Sequence, residues 1–191
     1  MTKPSKRQDL VAAAIQLLAE GGSEALTAGA LAARAGVSKA NVFHHFPRLD
    51  EIVLEAFELF VMGMPSMQPQ SGMDLRSWLQ ALGRETTASM DTEPDLAAAY
   101  FGFVAKARTD AQLNARLAEI AAAARRQFEA SLDLLAPRRF APEERAALAA
   151  LILMTGDGLA LHRHLFPDQA ASQAAAWSGF VEMVCAGEVA T

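Results

Sequence analysis

Apolar residues recur at intervals of three and four along most of the chain, the spacing that gathers them on one face of an α-helix. Leu10, Ala14, Leu17 and Leu18 predict an amphipathic helix over about 5–20. Ile52, Val53, Ala56, Phe57 and Phe60 form a second stripe on a helix starting near Arg48. Gly63, Pro65, Pro69 and Gly72 mark a loop over about 63–72. Beyond it, breaks at Pro94, near Asp110, at Pro137 and Pro142, and at Pro167 divide the remainder into helices expected at 74–90, 94–107, 110–135, 142–165 and 168–187. Asp74, Glu93 and Asp168 stand where a helix start needs a side-chain acceptor. No strand-like alternation competes, so the expected fold class is all-α, with about nine helices.

The most informative stretch is residues 27–46. Thr27 is placed to cap a helix that carries Leu31 and Ala35 on one face. Gly36 suits a turn needing positive φ, and Ser38 caps a second, short helix. At about 100° per residue, Val42 and Phe46 fall on its inward side. Lys39, Ala40, Phe43 and His44 fall on its outward side, with Asn41 on the flank. A helix, a turn and a short second helix are the plan of a DNA-reading helix-turn-helix. The outward residue types suit a major groove: Lys and His meet phosphate or guanine, Asn pairs with adenine, and Ala approaches a thymine methyl.

At this point the sequence resembles the tetracycline-repressor (TetR) family of transcription regulators. The resemblance is carried by Leu10-Val11-Ala12-Ala13-Ala14-Ile15, Gly22 through Thr27, Ala32-Ala33-Arg34-Ala35-Gly36-Val37-Ser38, Val42-Phe43-His44-His45-Phe46-Pro47 and Asp50-Glu51-Ile52. It covers the first quarter to third of the chain. Farther on, Gly156-Asp157-Gly158-Leu159-Ala160-Leu161 looks like part of the penultimate helix of betaine-regulator-like members. The chain departs from the family pattern twice. Phe43 stands where a tyrosine usually reaches a phosphate, and Leu49 stands where a lysine is usual, with Arg48 beside it. The resemblance implies an N-terminal three-helix helix-turn-helix domain, 1–47, followed by a helical effector-binding and dimerisation domain, 48–191. It implies that Lys39, Ala40, Asn41, Phe43 and His44 read DNA, while Thr27, Ser38 and Arg48 anchor phosphates.

Charge fits that division. The chain carries −5 overall. In residues 1–48, however, Lys3, Lys6, Arg7, Arg34, Lys39 and Arg48 outnumber Asp9, Glu20 and Glu24, so a basic head precedes an acidic body. Cys185 is the single cysteine, which rules out an intrachain disulfide and suits a reducing compartment. Residues 10–19 are apolar, but Gln16 and Glu20 break the run, unlike a signal-peptide core. The apolar run Ala146 to Met154 is too short for a bilayer, and Gly156-Asp157-Gly158 is expected to end it. The expectation is a cytoplasmic protein without a membrane partner.

In the body, Leu148, Leu151, Ile152, Thr155, Leu159 and His162 form one helical stripe, and Trp177, Phe180, Val181 and Val184 another. The resemblance implies a homodimer in which the last two helices of each subunit pack together, through Leu148, Leu151, Ile152, Thr155, Leu159, Trp177, Phe180 and Val184. Read from the residues alone, the same stripes serve equally to fill an intrachain core. A dimer presents two recognition helices to successive major grooves, and hence implies a palindromic operator in double-stranded DNA. The family's second site is an effector pocket. Candidates are Met62, Met64, Met67, Trp78, Leu82, Met90, Tyr100, Phe101, Phe103 and Phe128, since methionine and aromatics suit an adaptable cavity. No cluster of charges stands among them, which points to a neutral or apolar small molecule.

Catalytic and metal readings fail on spacing. His44 and His45 diverge by about 100° on a helix, and His162 and His164 by about 200°, so neither pair shares an ion as i, i+4 imidazoles do. No Gly-rich phosphate loop or nucleophile elbow is present. The sequence reads as a regulator, not an enzyme, with no cofactor and no metal. The alternative is a helical ligand-binding or protein-interaction module with weakened or absent DNA binding, which Phe43 and Leu49 favour.

Overall fold

A computed structural model describes residues 5–62 and 67–186, the side chain of Leu96 excepted. Among these residues the chain forms nine α-helices and no strand. They are α1 (Lys6–Ala25), α2 (Ala28–Ala35), α3 (Lys39–His45), α4 (Leu49–Met62), α5 (Leu75–Thr92), α6 (Pro94–Ala107), α7 (Ala111–Leu135), α8 (Pro142–Leu165) and α9 (Ala170–Cys185). The all-α expectation holds, and most boundaries fall within two residues of those expected. In α1 the continuous helix ends near residue 20, because Gly21 (φ −146°) and Gly22 (φ +61°) leave helical geometry. Asp74 caps α5 by accepting the Ser77 N–H at 2.7 Å, and Asp110 caps α7 by accepting the Leu113 N–H at 3.0 Å. Met64, Gly63 and Pro65 lie outside the described residues.

By packing, the chain divides into two units. The first is Met1–Pro65 with Glu93–Ala118. Its core buries Leu10, Leu18, Leu31, Val42, Phe46, Ile52 and Phe57 from α1 to α4, with Phe103 from α6. Gly102 lets α6 approach α1 closely: a Cβ there would sit 3.3 Å from the Leu18 carbonyl oxygen. Phe57 and Phe103 meet edge to face at 5.2 Å, and Tyr100 stacks on Phe60 at 5.7 Å.

The second unit is Ser66–Thr92 with Glu119–Thr191. Its core joins Leu75, Trp78, Leu79 and Leu82 of α5 to Phe128 and Leu132 of α7, Ile152 and Leu159 of α8, and Trp177, Phe180 and Val181 of α9. Two buried indoles each find an acceptor, as a buried N–H must. Trp78 donates to the Met67 carbonyl at 3.0 Å, and Trp177 to the Leu79 carbonyl at 2.9 Å. The second bond requires α9 to press against α5 where α5 has no side chain. That position is Gly83, whose hypothetical Cβ would lie 2.3 Å from the Trp177 Nε1. Ion pairs brace the same helices from outside: Arg163 to Asp91 through two hydrogen bonds, and Arg76 to Glu182.

Three expectations change. Gly156-Asp157-Gly158 does not end the apolar helix; α8 runs unbroken for 24 residues. Glycine costs a helix about 1 kcal/mol relative to alanine, and flanking residues anchored in the core outweigh that. By length and composition α8 is long and apolar enough to cross a membrane. Asp168 caps no helix: a 3-10 turn takes up Pro167–Gln169, and α9 begins at Ala170 without a side-chain cap. Glu93 precedes α6 but makes no capping hydrogen bond; the rigid φ of Pro94 at the first turn suits the start by itself.

The indole contact generates a stability prediction. Gly83→Ala is expected to destabilise the protein by about 3 kcal/mol, because the added methyl meets a rigid ring already hydrogen-bonded to α5. Gly156→Ala, whose Cβ meets nothing within 4 Å, is expected to stabilise by up to about 1 kcal/mol. Urea denaturation of both variants checks the pair. Equal, small effects would mean that α9 does not sit on α5 this tightly.

Candidate nucleic-acid interface

The local structure of residues 27–46 follows from its capping residues. Thr27 Oγ1 accepts the Ala30 N–H at 3.1 Å and opens α2. Gly36 closes α2 in the left-handed region, φ +64°. The Gly36 N–H reaches the Ala33 carbonyl at 3.4 Å and the Val37 N–H the Ala32 carbonyl at 2.9 Å, the paired bonds of a Schellman turn. Ser38 Oγ then accepts the Asn41 N–H at 3.2 Å and opens α3. Each hydroxyl, acting here as an acceptor, keeps its own hydrogen to donate outward. Arg34, in the last turn of α2, forms a two-pronged pair with Glu20 of α1 at 2.8 and 2.6 Å. The Arg34 guanidinium, by hydrogen bond first and charge second, holds the Glu20 carboxyl below its ordinary value of 4.5.

On α3 the two faces separate as the sequence predicts. Val42 and Phe46 are fully buried, while Lys39, Ala40, Phe43 and His44 are exposed and Asn41 is half-buried. Phe43 leaves 47% of its surface open. The Asn41 Oδ1 is shielded and accepts no hydrogen bond. Lys39 lies across the first turn of α2: a Cβ on Gly29 would be 3.1 Å from the Lys39 Cε, 3.5 Å from its Nζ and 3.9 Å from Thr27 Oγ1. An ammonium, a hydroxyl and the free N–H groups at the start of α2 therefore share one small surface, which is electropositive by composition and by helix dipole. Arg48 is exposed and 3.6 Å from Glu51 one turn on, a loose pair that leaves its guanidinium accessible. Leu49 is half-buried at the start of α4.

Comparison with known proteins agrees with this geometry. Residues 10–56 match the bacterial regulatory proteins of the tetR family. Residues 75–185 match the C-terminal part of BetI-type transcriptional repressors. The chain belongs to the TetR family of transcriptional regulators. A transcriptional regulator from a Rhodococcus species has a similar structure, with TM-score 0.82 and 26% identity over 98% of this chain and 100% of its own. A TetR-family transcriptional regulator from Rhodococcus gives TM-score 0.74 at 19% identity, over 94% and 98% of the two chains. A transcriptional regulator from Saccharomonospora viridis, in complex with choline, gives 0.70 at 15%, over 95% and 96%. No curated protein matches the chain. In this TetR-family regulator α2 and α3 are thus the DNA-binding helix-turn-helix.

The body candidates distribute over both units. Trp78, Leu82 and Phe128 belong to the second, where Trp78 and Phe128 meet edge to face at 5.8 Å. Trp78 and Leu82 border a cleft of about 20 Å³, together with Met67, Gln68, Gln70, Met73, Ala81 and Glu85. Tyr100 and Phe103 belong to the first unit, and Met62, at the end of α4, is 83% exposed. Of the dimer candidates, Ile152, Leu159, Trp177 and Phe180 are buried in the second unit's own core, and Leu148 and Val184 pack against it. Leu151 is 45% exposed and Thr155 half-buried. The periodicity of α8 is apolar on both sides, so it does not distinguish the inward stripe from the outward one. The outward one is Leu151, Met154, Leu161 and Leu165.

Sequence reasoning missed the residues that seat α3 and α2: Arg34 with Glu20, and Arg7 with Glu55. No local spacing rule links partners 14 and 48 positions apart. Two outcomes follow. Ser38→Asp is expected to keep the cap and the melting temperature but to weaken DNA binding, since it adds a negative charge to the exposed start of the second helix of the helix-turn-helix, whereas Ser38→Ala costs about 1 kcal/mol of stability. Because the Glu20 pKa is depressed on folding, its contribution is fully present above pH 4.5 and lost as pH falls through the depressed value. Thermal melts down to below the carboxylate range are expected to show that loss in the native protein and not in Glu20→Gln.

Proposed function

We propose that the protein is a homodimeric repressor that binds a palindromic operator and is released by a small-molecule effector. In this reading 1–47 is the DNA-binding domain and 48–191 the effector-binding and dimerisation domain. The observation that carries it is the outward face of α3, where Lys39, Ala40, Phe43 and His44 are exposed and Asn41 is half-buried on the flank, while Val42 and Phe46 anchor the helix. Lys39 joins Thr27 and the α2 N-terminus in gripping one phosphate, and Ser38 and Arg48 grip others. Asn41 reads a base. Its Oδ1 is shielded and has no hydrogen-bond partner, so a rotation of the side chain would bring the amide to an adenine edge at no loss of an existing bond.

The dimer reading draws on the outward stripe of α8. Leu151, Met154, Leu161 and Leu165 lie on it, and α9 adds Met183, 73% exposed. A Cβ on Gly158 or Gly179 meets nothing within 4 Å, which leaves room for a partner helix to come close. Of the residues expected at the interface, Leu151 and Thr155 belong to this stripe. Ile152, Leu159, Trp177 and Phe180 support it from the core behind. The effector reading centres on Trp78 and Leu82. Their cleft, at about 20 Å³, admits about one water, so a ligand of ordinary size enters only by parting α5 from the Met67–Met73 segment. Glu85 is the single charged residue at the rim, in keeping with a neutral or apolar effector. The Saccharomonospora viridis neighbour binds choline, a cation, so choline is the natural comparison ligand. As a regulator of transcription, the protein would act in the cytoplasm, where the DNA is.

The test is fluorescence anisotropy against DNA from upstream of the protein's own gene, and against the product of a random-sequence selection, at two salt concentrations. Tight binding that resists scrambled competitor is expected. Lys39→Ala, Asn41→Ala and His44→Ala should each weaken it, Lys39→Ala with a shallower salt dependence and Asn41→Ala with relaxed specificity. Unchanged binding in all three would refute the recognition assignment. Failure of the selection itself would favour the module reading, for which the bare phenyl ring of Phe43 speaks. Leu161→Arg is expected to convert dimers to folded monomers in analytical ultracentrifugation.

A further inference from the structure

We infer that Arg7 is not a DNA contact but the positioning residue that ties the recognition helix α3 to α4. Arg7 stands in the first turn of α1, in the basic head, where the obvious role for an arginine is to meet phosphate. Its guanidinium is instead committed inward on three sides. Nη1 donates to the His45 carbonyl, the last of α3, at 2.7 Å. Nε donates to Glu55 Oε1 of α4 at 3.2 Å, and Nη2 to Glu55 Oε2. The Arg7 Cζ lies over the Phe46 ring, 4.1 Å from its centroid. A capping box fixes the first turn of α1 and so aims the residue: Ser5 Oγ accepts the Gln8 N–H, and Gln8 Oε1 accepts the Ser5 N–H.

The arrangement suits a coupling element. The α3 carbonyl end carries partial negative charge and unsatisfied acceptors, which a guanidinium satisfies. Glu55 fixes that guanidinium by a fork no lysine reproduces. The last turn of α3 therefore follows α4 through Arg7, independently of the short connection through Pro47 and Arg48. The inference rests on α3 being the recognition helix. Any displacement of α4 on effector binding would reach α3 by this route.

Two charge-sensitive variants separate the roles. Arg7→Lys keeps the charge and loses the fork. Glu55→Gln removes an acid from the head, which ordinary electrostatics says should tighten DNA binding. If Arg7 positions α3, both weaken operator binding about tenfold. The slope of log affinity against log salt then stays unchanged, and Arg7→Met combined with Glu55→Gln is no worse than Arg7→Met alone. Tighter binding in Glu55→Gln, or a slope reduced by about 0.9 in Arg7→Met, would make Arg7 a phosphate contact and overturn the inference. Circular-dichroism melts confirm that each variant is folded at the assay temperature. Amide exchange in α3, measured without DNA, provides a readout independent of the DNA-binding reading. It is expected to quicken at residues 43–46 in Arg7→Lys, and unchanged exchange there would overturn the inference even if the operator were never found.

Discussion

A helix of seven residues does not hold itself together in water, since isolated helices shorter than about 12–15 residues are marginal. The recognition helix α3 has that length, and it must present its outward side chains in a fixed frame. Its order is therefore imposed from outside. Ser38 supplies the first turn with an acceptor, and the Schellman turn at Gly36 sets the direction of entry. Val42 and Phe46 sink fully into the core of α1, α2 and α4, each contributing roughly 1.5–3 kcal/mol by burial. Arg7 takes up the last carbonyl. With both apolar anchors spaced one turn apart on one side, the outward side is left free of structural duties. That freedom leaves Ala40, Phe43 and His44 exposed, without a part in holding the helix.

The same head must also keep acids away from phosphate. Helix α4 brings Asp50, Glu51, Glu55 and Glu58 into the first unit, and each meets a cation: Lys106 at 3.3 Å, Arg48 at 3.6 Å, Arg7, and Arg116 at 3.4 Å. Exposed pairs of this kind stabilise little, about 0–1 kcal/mol each. Their larger consequence lies in the field. Each of these carboxylates has a cation beside it, while Lys39 and the α2 N-terminus add positive charge at the start of α3 and Arg48 stays accessible. The pairs also join α1, α6 and α7 to α4, so the first unit is braced around that helix.

What the sequence made legible follows the range over which each cause acts. Helix boundaries at Pro94 and Pro142, the caps at Thr27, Ser38 and Asp74, and the turn at Gly36 are local chemistry, and they stand where expected. The inward and outward faces of α3 are one step less local, but seven residues of strict periodicity suffice. Asp168 misled because a proline before it offered two ways of starting a helix, and the 3-10 turn took the first. Arg7 and Arg34 were legible only as charge. Whether an arginine turns toward solvent or folds back on a carboxylate 48 or 14 residues away depends on where the chain brings Glu55 and Glu20. The contact of Trp177 with Gly83 was invisible for the same reason: a glycine inside α5 reads as a weak helix position until an indole fills the space above it.

Helix α8 shows where periodicity itself reaches its limit. A helix half-covered by its own chain has one apolar stripe, and the stripe names the buried side. In α8, Ala149, Ile152 and Leu159 face the core, whereas Leu151, Met154, Leu161 and Leu165 face away from it. Apolar residues on both sides blur into one broad band, from which Leu148, Leu151, Ile152, Thr155 and Leu159 emerge as a single stripe although they divide between two. A helix apolar all round is one that expects cover all round. The chain's own α5, α7 and α9 share one core with the inward side, while Leu151, Met154, Leu161 and Leu165 stay exposed among the described residues. The small residues at Gly158 and Gly179 leave space rather than bulk on that open side, which is the shape a second helix pair needs to pack closely. The same apolarity that lets α8 pass for a membrane span supplies the exposed stripe on which the proposed dimer rests.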